Sequence, residues 1–211
     1  GDAPGMNAVL KSFIDKCLAL GVTPYIYRKG IEGVLKNDGQ EYTEEAQRRL
    51  LATPGSVIQC NKRFKLIEQE GAEYQAIENL RKNKCDALII VGGDGSVRLS
   101  DKLFRAGYPV VALPGTIDND LPVYCLGFDS ALNATIELIQ MLEWTSRSME
   151  RVHLAEVYGA GSGHFALSLA HAVNPQAVLV NEMKDIGIDI DEFIDNYLID
   201  KLTLGLKRKD K

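Results

Sequence analysis

A run of five apolar residues, Ala87 to Val91, ends abruptly in the glycine-rich stretch Gly92 to Ser96. An apolar run without polar alternation is typical of a parallel strand that is buried on both faces. The glycines that follow are typical of a tight turn out of such a strand. This pattern predicts a strand, a loop and a helix in immediate succession, which is the repeating unit of a parallel α/β sheet.

Short apolar runs alternate with longer amphipathic segments along the rest of the chain. The predicted strands are Val22–Tyr27, Ala87–Val91, Val110–Leu113, Val152–Val157 and Ala177–Val180. The predicted helices are Met6–Leu20, 43–52, Ala72–Lys82, Ser96–Ala106, 129–147, 164–172 and a last helix from about Asp191. This order predicts an α/β fold in Rossmann-like layers, with a mostly parallel sheet and helices on both of its faces.

Composition narrows the class of partner. A net charge of −5 and a pI near 5.3 argue against binding to nucleic acid or to an anionic membrane, since either surface selects basic proteins. The four cysteines are scattered, without metal-ligand spacing, so neither a disulfide scaffold nor a zinc site is expected. No apolar run reaches the roughly 18 residues of a spanning helix. We therefore expect a soluble cytoplasmic protein without a membrane partner.

The loop from Gly92 to Ser96 carries the first candidate chemistry. Glycines at the end of a strand let the backbone N–H groups and a helix N-terminus approach a phosphate closely. Asp94 adds a hard oxygen ligand of the kind that Mg²⁺ prefers. Similar loops bind nucleotides in NAD kinases and diacylglycerol kinases, and an ordinary capped turn is the alternative.

The loop from Pro114 to Asp120 contains the second group of candidate functional residues. It places the carboxylates of Asp118 and Asp120 beside the hydroxyl of Thr116, directly after a predicted strand. Ligands of open α/β sheets bind outside the carboxyl ends of the strands, so both loops belong to the edge where a site is expected. The alternative is a surface turn, since Asp and Asn also favour turns.

Four motifs in register resemble the 6-phosphofructokinase family. They are G-D-A-P-G-M-N at Gly1, G-G-D-G-S at Gly92, P-G-T-I-D-N-D at Pro114 and G-F-D-S-A at Gly127. Their order and spacing are similar to those of the bacterial-type, ATP-dependent enzymes along all 211 residues. The resemblance implies a phosphofructokinase-like fold.

The resemblance also implies an activity. It is the Mg²⁺-dependent transfer of a phosphoryl group from ATP to the 1-hydroxyl of fructose 6-phosphate, giving fructose 1,6-bisphosphate in glycolysis. Asp118 would accept the proton of that hydroxyl, with Thr116 and Asp120 holding the substrate and the metal-bound phosphates. Such a transfer depends on positioning and charge neutralisation more than on covalent chemistry.

Further residues match family positions one by one. The implied nucleotide-binding residues are Gly1, Arg63, Phe64, Gly93, Asp94, Gly95 and Ser96, with Asp94 also binding the metal. The implied sugar-phosphate residues are Thr116, Asp118, Asp120, Arg151, Tyr158 and Gly159. Arg151 matches an arginine that reaches across a subunit interface, which implies a homo-oligomer, a tetramer in relatives.

Two glycines bear on the phosphate donor. Relatives that use pyrophosphate carry Asp where this chain has Gly95 and Lys where it has Gly115. Because bulk at the first position obstructs the nucleotide, ATP is the expected donor.

The chain also departs from the family pattern. Where the family has an M-G-R turn, the chain has Tyr158, Gly159 and Ala160, so a cation near the transferring phosphate is missing. His164 is a candidate replacement, with a surface histidine as the alternative. Glu182 matches a family acid associated with the effector's magnesium, and a structural acid is again the alternative.

The domain prediction follows from these matches. We expect a nucleotide-binding α/β domain over residues 1–130, and the start of a sugar-phosphate domain over 131–211. The expected whole is a fragment that lacks the first strand and a C-terminal segment. Two other functions stay open: a nucleotide-binding relative without turnover, and a kinase of another substrate that shares only the Gly92 loop.

Overall fold

The computed structural model describes residues 2–42, 55–61, 68–159 and 161–207, with side chains up to residue 204. It comprises two compact units. The first consists of Gly1–Thr116 and Leu121–Gly127, and the second of Ile117–Asp120 and Phe128–Lys211. The predicted helix over 43–52 lies outside the described residues.

The first unit holds four helices and four strands among its described residues. The helices are α1 (Met6–Ala19), α2 (Ile31–Lys36), α3 (Ala72–Lys82) and α4 (Asp94–Arg105). The strands are β1 (Tyr25–Tyr27), β2 (Gly39–Glu41), β3 (Leu88–Gly92) and β4 (Val110–Pro114). Their order places each parallel strand between helices, as the alternation in the sequence predicts.

Local sequence explains where α3 and α4 begin and end. Basic residues occupy the last turn of each helix, and acids occupy the first turn, which complements the helix dipole. The helix α3 has the predicted bounds. The helix α4 begins at Asp94, two residues before the predicted start, because Gly93 is extended and acts as its N-cap.

The parallel sheet is built from β3 and β4. Leu88 pairs with Val110, and the register continues to Gly92 opposite Pro114. The prediction that the strand over 87–91 is buried on both faces is wrong, since Ile89 is 41% exposed and Val111 is 55% exposed. Side chains of a strand alternate between two faces, and only the face that carries Leu88 and Val110 packs against the core.

A second sheet pairs β1 with β2 in antiparallel order, with Tyr25 opposite Glu41 and Tyr27 opposite Gly39. The predicted strand over 22–27 thus begins only at Tyr25. A Cβ on Gly39 would lie 2.5 Å from the Tyr25 ring and 2.8 Å from the Tyr27 ring, so the two tyrosines require glycine opposite them.

The core of the first unit lies between α2, α3, α4 and the inner face of the parallel sheet. Its buried members are Tyr27, Ile31, Val34, Ala72, Ala76, Ile77, Leu80, Leu99, Leu103 and Tyr108. Leu80 and Leu103 are completely buried, and truncating such a leucine to alanine costs about 2–5 kcal/mol. This core fixes the ends of β3 and β4, where the candidate site lies.

The regular secondary structure of the second unit is helical within the described residues. Its elements are α5 (Phe128–Met149), α6 (His164–Val173), α7 (Glu182–Asp185), α8 (Ile190–Phe193), a π-helical segment (Ile194–Leu198) and α9 (Ile199–Lys207). Phe128 at the start of α5 packs edge-on against Phe165 of α6, with ring centroids 5.8 Å apart. This aromatic pair joins the two longest helices of the unit.

Two predicted strands of the second unit are wrong. Residues 151–159 and 174–180 form neither helix nor strand. Val152 is 56% exposed and Leu154 is 90% exposed, so this apolar run is not buried. A strand is stabilised by a hydrogen-bonded neighbour, and no described segment pairs with either run. Within the described ranges, no helix combines the length and the apolar character that crossing a bilayer requires.

Candidate active site

The end of β3 delivers the chain directly into the N-terminus of α4. Gly92 is buried, and the N–H groups of Ser96 and Val97 donate to the carbonyl oxygen of Gly93 over 2.9 and 3.1 Å. Asp94, Gly95 and Ser96 therefore belong to the first turn of the helix. Backbone N–H groups at such a helix start, with glycine beside them, are suited to binding a phosphate.

Within the first unit, the loop from Gly92 contacts Thr116, the last residue of the second loop that belongs to this unit. A Cβ on Gly93 would lie 3.1 Å from the Cβ of Thr116, and one on Gly92 would lie 2.2 Å from Ser96 Oγ. Thr116 is only 8% exposed. The glycines thus make room for the hydroxyl-bearing residues of the site, which brings the predicted residues Gly93, Ser96 and Thr116 together.

Gly115 is tightly packed at the end of β4. Its N–H donates to the carbonyl oxygen of Gly92 over 2.9 Å, and a Cβ there would lie 2.9 Å from Val91 Cγ1. On its other side it bridges to Leu126. Gly115 therefore has a packing role against Val91, and its proposed bearing on the phosphate donor stays a prediction.

Asp94 is paired with an arginine one helical turn further along. Its Oδ1 accepts from Arg98 Nε over 3.1 Å, and its Oδ2 lies 2.8 Å from Arg98 Nη2. The side chains are 43% and 70% exposed, so water can replace either partner. A cation that binds Asp94 must compete with Arg98, which sequence reasoning did not foresee.

The number of carboxylates near Asp94 is compatible with a Mg²⁺ site. No cluster of three or more potential ligands among His, Cys, Asp and Glu occurs in the described part of the chain. Mg²⁺ does not need such a cluster, because it is commonly held by one or two carboxylates together with substrate phosphates and water. A single carboxylate at a helix start that is suited to binding phosphate is consistent with this mode of Mg²⁺ binding.

The second loop continues from Thr116 into residues that belong to the second unit. Asp118 is half-buried and Asp120 is exposed. Asn119 between them has a φ of 50°, in the left-handed region that asparagine tolerates better than most residues. The backbone therefore turns between the two carboxylates.

The predicted sugar-phosphate residues of the second unit lie on irregular backbone. Arg151 is exposed and Tyr158 is 73% exposed. Gly159 accepts a hydrogen bond of 2.7 Å from Ser162 N–H, and a Cβ on Gly159 would lie 2.4 Å from Ser162 O. Only glycine fits this turn. Exposed His164 contacts Phe128 in a tilted arrangement, with ring centroids 5.1 Å apart.

Some predicted residues cannot be placed. Gly1, Arg63, Phe64 and Ala160 lie outside the described residues. Their roles stay predictions.

Sequence reasoning missed two buried polar residues of the first unit. Asn7 and Glu32 are each 8% exposed. Asn7 Oδ1 accepts from Val57 N–H over 3.0 Å, and the Glu32 carboxylate accepts from Asn61 Nδ2. The available signal was the Glu32 and Lys36 pair at helical spacing, followed by an Asn-Asp-Gly turn.

Comparison with known proteins decides the family. The family model described as phosphofructokinase matches residues 1–207. The chain belongs to the phosphofructokinase family. The resemblance drawn from the four motifs is therefore confirmed at the level of the family.

Curated phosphofructokinases match most of the chain. It is 38% identical over 200 residues to an ATP-dependent 6-phosphofructokinase of Tolumonas auensis, a match that covers 92% of this chain and 62% of the relative. It is 32% identical over 213 residues to an ATP-dependent 6-phosphofructokinase of Brevibacillus brevis, covering 100% of this chain and 64% of the relative. The chain thus spans under two thirds of the length of these relatives.

A solved phosphofructokinase structure supports the α/β fold. The enzyme of Pichia pastoris in its T-state superposes with a TM-score of 0.80 at 22% identity, covering 100% of this chain and 22% of that one. At this identity the likeness speaks for the fold alone. The predicted phosphofructokinase-like fold class is confirmed.

Proposed function

We propose that the protein to which this chain belongs transfers the γ-phosphoryl group of ATP to the 1-hydroxyl of fructose 6-phosphate, giving fructose 1,6-bisphosphate. The observation that carries the proposal is the contact between Gly93 and Thr116. It brings the loop at the end of β3 against Thr116 at the end of β4, in a family whose named relatives are ATP-dependent 6-phosphofructokinases.

The nucleotide phosphates would bind at the start of α4. The N–H groups of its first turn and the adjacent glycines offer donors without side-chain obstruction. Asp94 would hold Mg²⁺ after exchanging Arg98 for the cation. When bound, Mg²⁺ supplies charge neutralisation at the phosphate oxygens. Gly1, Arg63 and Phe64 complete the proposed nucleotide contacts, with Arg63 adding positive charge.

The sugar would be activated by Asp118. A carboxylate within hydrogen-bond reach of the 1-hydroxyl can accept its proton as the oxygen attacks the phosphorus. Thr116 and Asp120 would orient the reacting groups. Arg151, Tyr158 and Gly159 would bind the sugar phosphate, with Arg151 supplying the charge that a 6-phosphate requires.

Arg151 also supports a proposal about the oligomeric state. We propose that it serves the sugar-phosphate site of a neighbouring copy, in a homo-oligomer that is a tetramer. The four cysteines, which are free thiols, are consistent with a cytoplasmic location, where thiols stay reduced.

A coupled assay on the full protein tests the function. Fructose 1,6-bisphosphate is detected through aldolase, with ATP and pyrophosphate compared as donors. We expect turnover with ATP, and we expect Asp118→Asn to lower kcat by at least about 100-fold, the lower end for general base catalysis, while the Kd for ATP stays unchanged. An Asp118→Asn variant with normal kcat would show that Asp118 is not the general base. Turnover that occurs only with pyrophosphate would identify pyrophosphate, and not ATP, as the phosphoryl donor.

A second candidate function is ATP binding without turnover. It is favoured by Ala160, which stands where the family has an arginine. Loss of one such cation at a transition state costs on the order of 3 kcal/mol, or about 100-fold in rate. If the full protein binds MgATP but produces no fructose 1,6-bisphosphate, Ala160→Arg should restore measurable turnover, with Ala160→Gln as the uncharged control.

A further inference from the structure

Two sulfur atoms and a carboxylate oxygen converge beside the start of α1. Cys60 Sγ lies 3.9 Å from Met6 Sδ and 3.9 Å from Asp2 Oδ1. A Cβ on Gly55 would lie 2.8 Å from Asp2 Oδ2, so the backbone at Gly55 packs against the other side of the carboxylate. Cys60 is 54 residues from Met6 along the chain, and only the fold brings these side chains together. Asp2, Met6 and Cys60 are called the Cys60 group below.

The two sulfur atoms are carried by backbone that is fastened together. Met6 is buried in the first turn of α1. Asn7 of the same turn is 8% exposed, and its Oδ1 accepts from Val57 N–H over 3.0 Å. This bond ties the chain just before Cys60 to the start of the helix. The sulfur atoms are therefore placed by the fold, as a preorganised binding site requires.

A hydrogen bond from the thiol does not explain why two acceptors face Cys60. The thiol has one proton and is a weak donor, so it can serve only one of the two acceptors fully at a time. A cation bound to the thiolate would attract the Met6 sulfur and the Asp2 carboxylate together. The arrangement of acceptors around one sulfur is thus better suited to a metal ion than to a proton.

The spacing of the donors matches the bond lengths of a metal site. With metal–sulfur bonds of about 2.3 Å, two sulfur atoms 3.9 Å apart subtend an angle of about 115° at the metal. With a metal–oxygen bond of about 2.1 Å, Cys60 Sγ and Asp2 Oδ1 subtend about 125°. Both angles are close to those of a trigonal site with three donors.

The kinds of donor select the metal. Soft thiolate and thioether ligands favour Cu(I), Zn²⁺ or iron–sulfur clusters. Structural Zn²⁺ sites are tetrahedral sets of Cys, His and carboxylate ligands, and iron–sulfur clusters are held by several cysteines. Over the described ranges, no three side chains from His, Cys, Asp and Glu form such a set. A thiolate joined by a thioether therefore indicates Cu(I).

We propose that the Cys60 group binds one Cu(I) ion. Cys60 Sγ binds as the thiolate, and its proton passes to water as the copper–sulfur bond forms. Met6 Sδ and Asp2 Oδ1 complete the site. Cys60 and Asp2 are exposed, so the ion can enter from solvent.

The proposed copper site adjoins the end of β4 but shares no donor with the proposed Mg²⁺ site. A Cβ on Gly115 would lie 3.7 Å from Met6 Cε, which places Met6 next to the residue that follows β4. Asp94, at the start of α4, offers a hard carboxylate instead. Because Mg²⁺ prefers oxygen ligands, excess Mg²⁺ should not displace Cu(I) from sulfur.

Titration of the 211-residue chain with Cu(I), in competition with the chromophoric chelator bicinchoninate and in the presence of ascorbate, tests the proposal. We expect Cys60→Ser to weaken binding by at least about 100-fold, because loss of a direct ligand should exceed the roughly 10–100-fold effect of losing an outer-shell partner. Met6→Leu and Asp2→Asn should each weaken binding by about tenfold, since the thiolate remains. Met6→Leu conserves the volume of a buried side chain, so this variant should fold.

Two variants control for sulfur atoms elsewhere in the chain. Cys85→Ser removes a half-buried thiol whose Sγ lies 3.8 Å from the Asn83 carbonyl oxygen. Met149→Leu removes a thioether from a residue that is 53% exposed. Both variants should bind Cu(I) as tightly as the parent does.

Methionine methyl spectra give a readout that a purely structural role of Met6 would not change. The chain has four methionines, and Met6→Leu identifies the signal of Met6. If that variant does not fold, leucine variants at the other three positions assign the signal by elimination. One equivalent of Ag(I), a cation that shares the preference of Cu(I) for sulfur, should shift the Met6 signal in the parent. The shift should be absent in Cys60→Ser, which keeps Met6 but lacks the thiolate.

The outcomes decide between a three-donor site and a reactive thiol. Equal affinity of Cys60→Ser and the parent would overturn the proposal. Equal affinity of Met6→Leu and the parent, or a Met6 signal that Ag(I) leaves in place, would also overturn it, because the thiol alone would then hold the ion. None of these results bears on the proposed kinase function, which rests on the contact between Gly93 and Thr116.

Discussion

Glu182 Oε1 accepts a hydrogen bond of 2.7 Å from the backbone N–H of Gly163, nineteen residues earlier in the chain. Its other oxygen, Oε2, is shielded from solvent and has no hydrogen-bond partner among the described residues. A Cβ on Gly163 would lie 2.5 Å from this Oε2 and 2.5 Å from Val180 Cβ. The geometry favours the structural reading of Glu182, as the acid that fastens the turn before α6.

Glu182 should contribute to stability in a pH-dependent way. The hydrogen bond from Gly163 N–H holds the pKa of Glu182 below its ordinary value. A carboxyl group whose pKa is lowered by folding stabilises the protein above its unfolded-state pKa, and that contribution is lost as the pH falls through the folded-state value. Glu182→Gln should therefore lower the melting temperature at neutral pH and flatten its decline in acid.

Thermal unfolding between pH 7 and pH 3, followed by circular dichroism, measures this effect. Glu156→Gln, which removes an exposed acid in the same unit, serves as the control. A Glu182→Gln variant whose melting temperature falls in parallel with that of the parent would rule out the coupling.

Gly115 provides a second prediction, on packing. A Cβ at this position would lie 2.9 Å from Val91 Cγ1, closer than carbon atoms approach each other in folded proteins. Overpacking of this kind costs about 1–3 kcal/mol, and we expect Gly115→Ala to lose that much free energy of unfolding. Gly161→Ala is the control, because no atom of the residues that the structure describes lies within 4 Å of a Cβ built there.

Urea unfolding of a double-mutant cycle identifies the cause. Val91→Ala removes the methyl group that conflicts with the new Cβ. The double variant should therefore lose less free energy of unfolding than the sum of the losses in the two single variants. Additive losses would mean that the conflict with Val91 does not determine the residue at position 115.

The sequence predicts the elements that carry a long periodic signal. The helix α3 has its predicted bounds, and β3 and β4 lie within one residue of theirs. Their patterns of burial extend over five or more residues, and the turn residues that follow them are unambiguous. The strand ends also place Gly93 and Thr116 at one edge, so this part of the candidate site could be predicted.

Short elements could not be predicted, because tertiary contacts stabilise them. The six-residue helix α2 depends on Asn79, which is distant in sequence, and the three-residue strand β2 depends on pairing with β1. The strand predicted over 152–157 is wrong for the opposite reason: its apolar pattern indicates a strand, but no segment in the described part of the chain pairs with it. The pairing of Asp94 with Arg98 could have been read from the helical spacing of the two residues.

Arg98 should compete with magnesium for Asp94. If Asp94 holds the cation as proposed, Arg98→Ala frees its carboxylate and should lower the Mg²⁺ concentration for half-maximal MgATP binding. An exposed pair of this kind is worth about 0.2–1 kcal/mol, so we expect a decrease of up to about fivefold. Asp94→Asn should raise the same concentration by at least about tenfold, because it removes the anionic ligand.

A matched pair on the same helix controls for charge. Arg105 and Asp101 have the same spacing, a distance of 2.8 Å and similar exposure, so Arg105→Ala should leave the requirement for Mg²⁺ unchanged. Titration of Mg²⁺ at fixed ATP measures all three variants. An equal response of Arg98→Ala and Arg105→Ala would assign the effect to net charge, and it would exclude local competition at Asp94.

Tyr27 and Tyr108 should limit stability in alkali. They are 7% and 3% exposed, and burial raises the pKa of each to about 12. Folding therefore favours the protonated phenol, so stability is complete below the unfolded-state pKa of about 10 and is lost as the pH rises towards 12. Between pH 10 and pH 12, the raised pKa of each tyrosine should lower the free energy of unfolding by about 1.4 kcal/mol per pH unit. Urea unfolding at pH 9, 10 and 11 measures the loss.

Phenylalanine variants separate titration from hydrogen bonding. Tyr108→Phe loses the bond of 2.6 Å from its hydroxyl to the Cys85 carbonyl oxygen, so it should be less stable than the parent at pH 8, yet lose less stability between pH 9 and pH 11. Tyr74→Phe, at a position that is 65% exposed, should match the parent at every pH. If Tyr108→Phe and the parent declined in parallel above pH 9, the buried phenol would not be the group that titrates, because stability depends on pH only through groups that bind protons differently in the folded and unfolded states.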